Sequence, residues 1–152
     1  EQLIFRPKVN FDGALPSGNS VHMMNLLRLS ALTGDVAYEE AASKVLKSVA
    51  ELLNRYHGSF TSYLSAVLFS ENSTEIVVAG GKDDACAAKF AGEIRKAYQP
   101  FKSLMLASGG KDLAEFAKDY KPVDGRTAIY VCRNRRCERP VTDVEEALKM
   151  IL

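Results

Sequence analysis

A carboxylate, an amide and two hydroxyls fall within nine residues, Asp12-Gly-Ala-Leu-Pro-Ser-Gly-Asn-Ser20, just ahead of an apolar periodic stretch. Small residues between them let a backbone approach a ligand closely. A helix starting here would present unpaired N–H groups and a partial positive charge. That chemistry suits a sugar, another hydroxyl-rich small molecule or a small anion, with Asp12, Ser17, Asn19 and Ser20 as the contacts. The plainer reading is that Ser17, Asn19 and Ser20 cap the helix and fill a turn.

Cys132 and Cys137 are separated by four residues and surrounded by Arg133, Arg135, Arg136 and Arg139. Nearby positive charge lowers a thiol's pKa, so a reactive thiolate is one reading. Redox dithiols more often use C-x-x-C at a helix start, and zinc would need Cys86 and a histidine from elsewhere. The favoured reading is structural or incidental cysteines, with a redox pair or a metal site as alternatives. No metal is expected at this pair, and Cys86 is expected to be a buried, inert thiol inside a helix. No aromatic residues interleave the four arginines, so a solvated loop or a contact with another domain fits better than a nucleic-acid patch.

Gly80-Gly81 follows an apolar run and opens onto a helix, but it lacks GK[ST] and is not GxGxxG. Asp83 and Asp84 at the helix start would repel phosphate. A strand-to-helix turn is the better reading. His22 and His57 are isolated, and Ser17 lies in no G-x-S-x-G elbow.

These residues need a scaffold, and the apolar spacing describes one in two halves. Three helices are expected over residues 20–70. Asn19 or Ser20 would cap the first, with Val21, Met24, Leu27 and Ala31 on one face. Thr33-Gly34-Asp35 ends it and starts the second, which carries a stripe from Tyr38 through Ala42, Val49 and Leu53 to Tyr56. The third, about Phe60 to Phe69, is apolar on most sides. In the second half, strands at 75–79, 103–107 and 127–132 alternate with helices at 84–98, 112–120 and the chain end. The helix at 84–98 should show Ala87, Phe90, Ala91, Ile94 and Tyr98 on one face. The last helix should carry a Thr142/Glu145 capping box. Near-continuous apolar strands separated by helices indicate a parallel sheet covered on both faces, in order 3-2-1 or 2-1-3. The fold class is therefore α/β: N-terminal helices followed by a small three-stranded parallel sheet flanked by helices, with domains at 1–72 and 73–152.

A net charge of +1 gives no global attraction for nucleic acid or an acidic membrane surface. No apolar run approaches the ~20 residues of a spanning helix. With three cysteines and no secretory leader, a cytoplasmic location is the expectation. The chain begins at Glu1, in the strand-like Leu3-Ile4-Phe5, and reads as a piece cut from something longer.

Two stretches carry a resemblance. They are Asp12 to Ser20 with Leu26-Leu27-Arg28-Leu29 through Thr33-Gly34-Asp35, and Thr127 to Cys132 through Cys137-Glu-Arg-Pro140-Val-Thr142-Asp143. Together they resemble the C-terminal region of the large thioredoxin-domain proteins related to YyaL and to spermatogenesis-associated protein 20. That resemblance implies a thioredoxin-like domain and most of an α/α toroid, similar to N-acylglucosamine 2-epimerases and six-hairpin glycosidases, outside this chain. The helices at 1–72 would be the end of that toroid and the loop 12–20 would lie at its mouth. The leading expectation is a fragment of a carbohydrate-binding or carbohydrate-processing protein, inactive alone and without a cofactor. The alternatives are a redox-linked regulatory or docking module for the thioredoxin-like domain, or a structural cap. Its partners would be a sugar and the remaining domains. Helices that have lost their neighbours would also make the fragment self-associate through Val21, Met24 and Leu27, or through Leu46, Val49 and Leu53.

Overall fold

A computed structural model describes residues 9–81, 84–107 and 115–152. The chain forms two compact units. One holds the described residues up to Ser30 together with Val36–Ser70. The other holds Ala31–Asp35 and the described residues from Glu71 to Leu152. The expectations at Leu3-Ile4-Phe5, Asp83 and the start of the 112–120 helix lie outside the described residues.

The expected helices are present: α1 (Gly18–Thr33), α2 (Val36–Arg55) and α3 (Thr61–Asn72), with a single 3-10 turn at His57–Ser59 before α3. Gly34 sits at φ +71°, the left-handed conformation that ends α1 without a Cβ penalty. The apolar stripe of α2 is legible because Lys, Glu and Ser fill its other face. Ala42 and Val49 are buried on it. The face of α1 differs from expectation. Ser20, Met23, Leu26 and Leu27 are buried, while Val21 is exposed. With Val, Met and Leu on most of its sides, α1 has no polar flank to mark which side turns inward. In α3 the inward stripe is Tyr63, Ala66 and Phe69, and Leu68 faces outward. Phe60 is fully enclosed, with its ring centroid 5.0 Å from Phe11 and 5.6 Å from Tyr63.

The second unit is a mixed α/β layer structure. Strands β1 (Thr74–Ala79), β2 (Lys102–Ala107), β3 (Ala128–Arg133) and β4 (Arg136–Cys137) form one sheet in the order β2-β1-β3-β4. β1 and β2 are parallel, joined through α4 (Ala85–Lys96). The third strand corrects the expectation of an all-parallel sheet: β3 runs antiparallel to β1, and the two-residue β4 adds a fourth strand antiparallel to β3. The reason is physical. A continuous apolar run reports cover on both faces, and β3 has that cover whichever way it runs. Ile129 and Val131 face α4 and α5 (Val144–Ile151), packed with Ile76, Val78, Ile94, Ala147 and Ile151. Tyr130 belongs to the opposite layer with Val77, Ala79, Met105, Ala107, Ala117 and Tyr120. Of the helix expected at 112–120, the described part, Glu115–Asp119, is a 3-10 helix.

Caps and helix ends bring two further corrections. α4 stops at Lys96, so Tyr98 leaves its apolar face and is exposed. α5 is capped by Asp143, which accepts from the Glu146 N–H at 3.0 Å, and not by Thr142.

The Gly80-Gly81 turn is a close packing point. A Cβ on Gly80 would come within 2.6 Å of an Asp84 carboxylate oxygen and 2.7 Å of the Ala87 methyl. Asp84 is held there: it caps α4 through Cys86 N and Ala87 N, and accepts from the Thr127 hydroxyl. That last bond, the largest influence, joins the backbone N–H groups in holding its carboxyl below the ordinary value against the opposing effect of burial. Gly80→Ala should therefore cost about 2 kcal/mol through overpacking. Chemical unfolding of the variant reads it, and an unchanged midpoint would refute the packing argument.

Candidate functional site

The structure brings Asp12, Ser17 and Ser20 together with their polar groups turned on one another, and Asn19 beside them bonded to Asn10. Ser17 is the N-cap of α1, its hydroxyl accepting from the Ser20 N–H at 3.1 Å. This corrects the expected cap at Asn19 or Ser20. Asp12 Oδ1 accepts from Ser17 N at 2.8 Å and from the Ser20 hydroxyl at 2.7 Å. Asp12 Oδ2 accepts from Ser62 N, in the first turn of α3, at 2.9 Å. Asn19 donates to the Asn10 side chain at 2.6 Å. Ser17 and Ser20 are buried. The carboxylate thus closes two helix starts at once. The Tyr63 hydroxyl is buried beneath this cluster without a hydrogen-bond partner among the described residues. Burial, followed by the Asp12 charge, pushes it above the ordinary phenol range, despite the nearby Ser17 hydroxyl.

A second constellation forms around β3 and β4. Asn134 and Arg135 lie at φ +51° and +60°, the paired left-handed conformation of a type I′ turn, and Arg133 and Arg136 close the hairpin. The next pair is Cys132 opposite Cys137. Glu138 N donates to Val131 O at 2.9 Å. Alternation along an antiparallel ladder then makes Cys132/Cys137 the non-hydrogen-bonded pair, where side chains approach most closely. The two cysteines are joined in a disulfide with Cα atoms 3.9 Å apart. The C-x4-C spacing around a two-residue turn is what sets them opposite each other. Of the expectation of structural or incidental cysteines, the incidental part gives way at this pair, and a structural or a redox disulfide remains.

The two sulfurs differ in surroundings. Cys132 is 3% exposed, whereas Cys137 is on the surface. The Tyr120 hydroxyl lies 3.4 Å from Cys137 Sγ and 3.7 Å from Cys132 Sγ. Its ring packs edge-on to Tyr130, centroids 4.9 Å apart, and Tyr130 is tied to Lys121 O at 2.8 Å. Glu75, the only charged residue of β1, stands opposite Cys132 in the β1–β3 register. Burial raises its carboxyl above the ordinary value, outweighing the Ser73 hydroxyl and the Arg135 charge, which act the other way. Burial also raises Tyr120, followed by the charges of Glu75 and Asp119 and the neighbouring Tyr130. Sequence reading singled out the cysteines and missed Glu75 and Tyr120. A lone Glu in an otherwise apolar strand was the available signal for the first; nothing marked the second.

The expectation of a buried Cys86 is also overturned. It lies on the outer face of α4 as an exposed free thiol, because Ala87, Ala91 and Ile94 are the residues that turn inward. Among the described residues no group of three or more His, Cys, Asp or Glu is placed to hold a metal ion, and no helix is long and apolar enough to cross a membrane.

No family model matches the chain, and no solved structure matches it. Curated proteins do. An uncharacterised protein of Caenorhabditis elegans is 25% identical over 138 residues, covering 89% of this chain and 19% of the relative. Spermatogenesis-associated protein 20 of Rattus norvegicus is 29% identical over 155 aligned residues, and its Homo sapiens counterpart 28%. The chain spans about a fifth of the length of these relatives. Over 98% of its own length, this chain is similar to a region that makes up 20% of spermatogenesis-associated protein 20, a member of the family its two motifs resemble.

Proposed function

We propose that the chain is the C-terminal α/β module of a larger protein and that its edge hairpin carries an exchangeable disulfide, Cys132–Cys137. The module would pass oxidising equivalents to, or sense, a dithiol such as that of a thioredoxin-like domain. The observation that carries this reading is the asymmetry of the pair: Cys137 is an exposed residue and Cys132 a buried one. The exchange balances. A thiolate of the partner dithiol attacks Cys137 Sγ, the Cys132–Cys137 bond breaks, and its electron pair leaves on Cys132 Sγ. The partner's second thiolate then attacks its own sulfur in the mixed disulfide and releases Cys137. Two electrons and two protons pass from the dithiol to the hairpin, and the partner becomes the disulfide.

Two further features support the reading. The crosslink closes a separation of five residues. So short a loop contributes only about 2 kcal/mol by chain entropy, and the type I′ turn orders part of it already, so the fold tolerates reduction. In a reducing compartment, a disulfide of this kind is a transient or sensing one and not a structural staple. The rival reading, a hydroxyl-rich ligand at Asp12, Ser17, Asn19 and Ser20, would have to displace the internal bonds those side chains make.

The test uses the oxidised chain, Cys86→Ser, with a thioredoxin whose second cysteine is Ser. A trapped mixed disulfide mapping to Cys137 is expected, and the chain should stay folded after reduction, losing no more than about 2 kcal/mol. A pair that the dithiol cannot open without denaturant, or that purifies as two thiols and does not oxidise, would sink the reading.

A further inference from the structure

Exchange at this hairpin has a difficulty of its own. The incoming thiolate must attack the accessible sulfur, Cys137, so the sulfur that leaves is Cys132, which is 3% exposed. A thiolate forming in an apolar enclosure is disfavoured, and enclosure raises a thiol's pKa. Rates of exchange depend on how readily the leaving thiol accepts its electron pair. The enclosed sulfur therefore needs a donor beside it as the bond breaks.

The structure supplies one. In the oxidised state neither sulfur carries a hydrogen, so the contacts between Tyr120 Oη and the two sulfurs are made with the Tyr120 hydroxyl donating. That hydroxyl is held over the disulfide by the Tyr120–Tyr130 ring contact and by the anchoring of Tyr130 to Lys121 O. Its one hydrogen lies nearer Cys137 Sγ, and a small rotation turns it to Cys132 Sγ, 3.7 Å away, where it stabilises the negative charge that develops as the bond breaks. Behind it stands Glu75. This residue belongs to the same sheet face as Cys132, Tyr130 and Val77, since it is paired with Cys132 and lies two residues before Val77, which pairs with Tyr130. A carboxyl group at this point can return to the leaving sulfur the proton it lacks.

We infer that Tyr120 and Glu75 form the proton-delivery pair of this disulfide: Tyr120 donates its hydrogen bond to Cys132 Sγ as the sulfur leaves, and Glu75 in its protonated form supplies the proton that converts the thiolate to a thiol. The inference rests on the exchange reading above and deepens it. In the step, the S–S electron pair goes to Cys132 Sγ, an S–H bond forms there, and the Glu75 O–H bond breaks to leave a carboxylate. Arg135 of the hairpin turn is placed to accept that new charge. The titratable groups around Glu75 are then Arg135 from the turn, Tyr120 just after the 3-10 helix, with Asp119 at that helix's end acting on Tyr120, and Tyr130 with the cysteines from β3 and β4. From β2, its neighbour is the uncharged Ser103; the adjacent Lys102 amine is spent on the Ile94, Arg95 and Ala97 carbonyls. The upward displacement of the Glu75 carboxyl supports its carrying a proton at a higher pH than a surface glutamate would.

The experiment measures the rate of reduction of Cys132–Cys137 by dithiothreitol in the folded Cys86→Ser chain from acid to alkaline pH, by quenching, alkylation and mass. Tyr120→Phe keeps the ring against Tyr130 and removes the hydrogen; it should slow reduction about tenfold at every pH below the tyrosine's own titration. Glu75→Gln should slow it about tenfold at acidic pH. The wild-type rate should then converge with that of Glu75→Gln, or fall below it, as the carboxyl ionises. Circular dichroism of each oxidised variant confirms that it is folded, and a Glu75→Asp variant that recovers part of the acid-side rate separates proton supply from packing. Wild-type exchange with both variants matching it at all pH values would overturn the proton-delivery pair and leave the exchange reading standing. Wild type that resists dithiothreitol altogether would overturn both.

Discussion

Asp12→Ala should lower the stability of the helical unit by about 3 kcal/mol. The carboxylate accepts three hydrogen bonds, from Ser17 N, the Ser20 hydroxyl and Ser62 N. Removing it leaves the Ser17 and Ser62 N–H groups without this acceptor and the Ser20 hydroxyl with only the Ser17 carbonyl, Ser17 and Ser20 both being buried. Bonds to a charged acceptor contribute roughly 1.5–3 kcal/mol each, but they share one group and do not add. Asp12→Asn keeps one acceptor oxygen and should lose about half as much. Urea unfolding followed by circular dichroism at 222 nm reads both. A loss below about 1 kcal/mol for the alanine variant would show that the cluster is incidental to the fold. Burial alone would raise the Asp12 carboxyl, yet the hydrogen bonds outweigh it and hold the group below its ordinary value. Between the two values the folded protein binds fewer protons than the unfolded chain. The stabilisation is complete above the unfolded carboxylate value, about pH 4, and is lost as pH falls through the folded one. Asp12→Asn should therefore flatten the acid limb of the stability profile.

Phe60→Ala should cost more, about 4 kcal/mol. Phe60 is fully buried between the end of the 3-10 turn and α3, and its ring meets those of Phe11 and Tyr63. Truncation removes the transfer free energy of a benzyl group and opens a cavity that α3 cannot collapse onto, because Asp12 holds its first turn in place. Phe60→Leu fills part of the space and should lose about half as much. If the alanine variant unfolds at the wild-type urea concentration, the residue is not the keystone its enclosure indicates.

Legibility in the sequence followed contrast. The second helix was readable in its start and face, because its apolar residues alternate with Lys, Glu and Ser, but it stops at Arg55, and Tyr56, expected on the stripe, is exposed. The first was readable as a helix but not as a face, since exposed Val21 and buried Met23 look alike in a chain apolar nearly all round. Strand positions were readable, and strand direction was not. Ala128 to Cys132 is a buried run whichever way it points, and direction was decided by the segment that leads to it, with turn residues Asp124 and Gly125 at φ +50° and +73°. The polar loop was found by its composition, but composition does not say whether Asp12 looks outward to a ligand or inward to Ser62, fifty residues away. Likewise the spacing of Cys132 and Cys137 reads as unremarkable until Asn134-Arg135 is recognised as a two-residue turn. Glu75 and Tyr120 reach the disulfide through strand pairing and a neighbouring 3-10 segment, which are relations between distant parts of the chain.

The bond from Asp12 to Ser62 also bears on the order in which the helical unit assembles. A helix's first turn is its weakest part, with N–H groups that find no partner inside the helix. Ordinarily the residue just upstream supplies the missing acceptor, and the helix can begin on local contacts alone. Here part of that acceptor set for α3 comes from a segment on the far side of α1 and α2. The chain must close a loop of that length before the first turn of α3 is complete, and the entropy of closure comes due before the bond is gained. The last helix of the unit is thus finished by its earliest described loop, and the segment between them is secured from both ends by a single carboxylate.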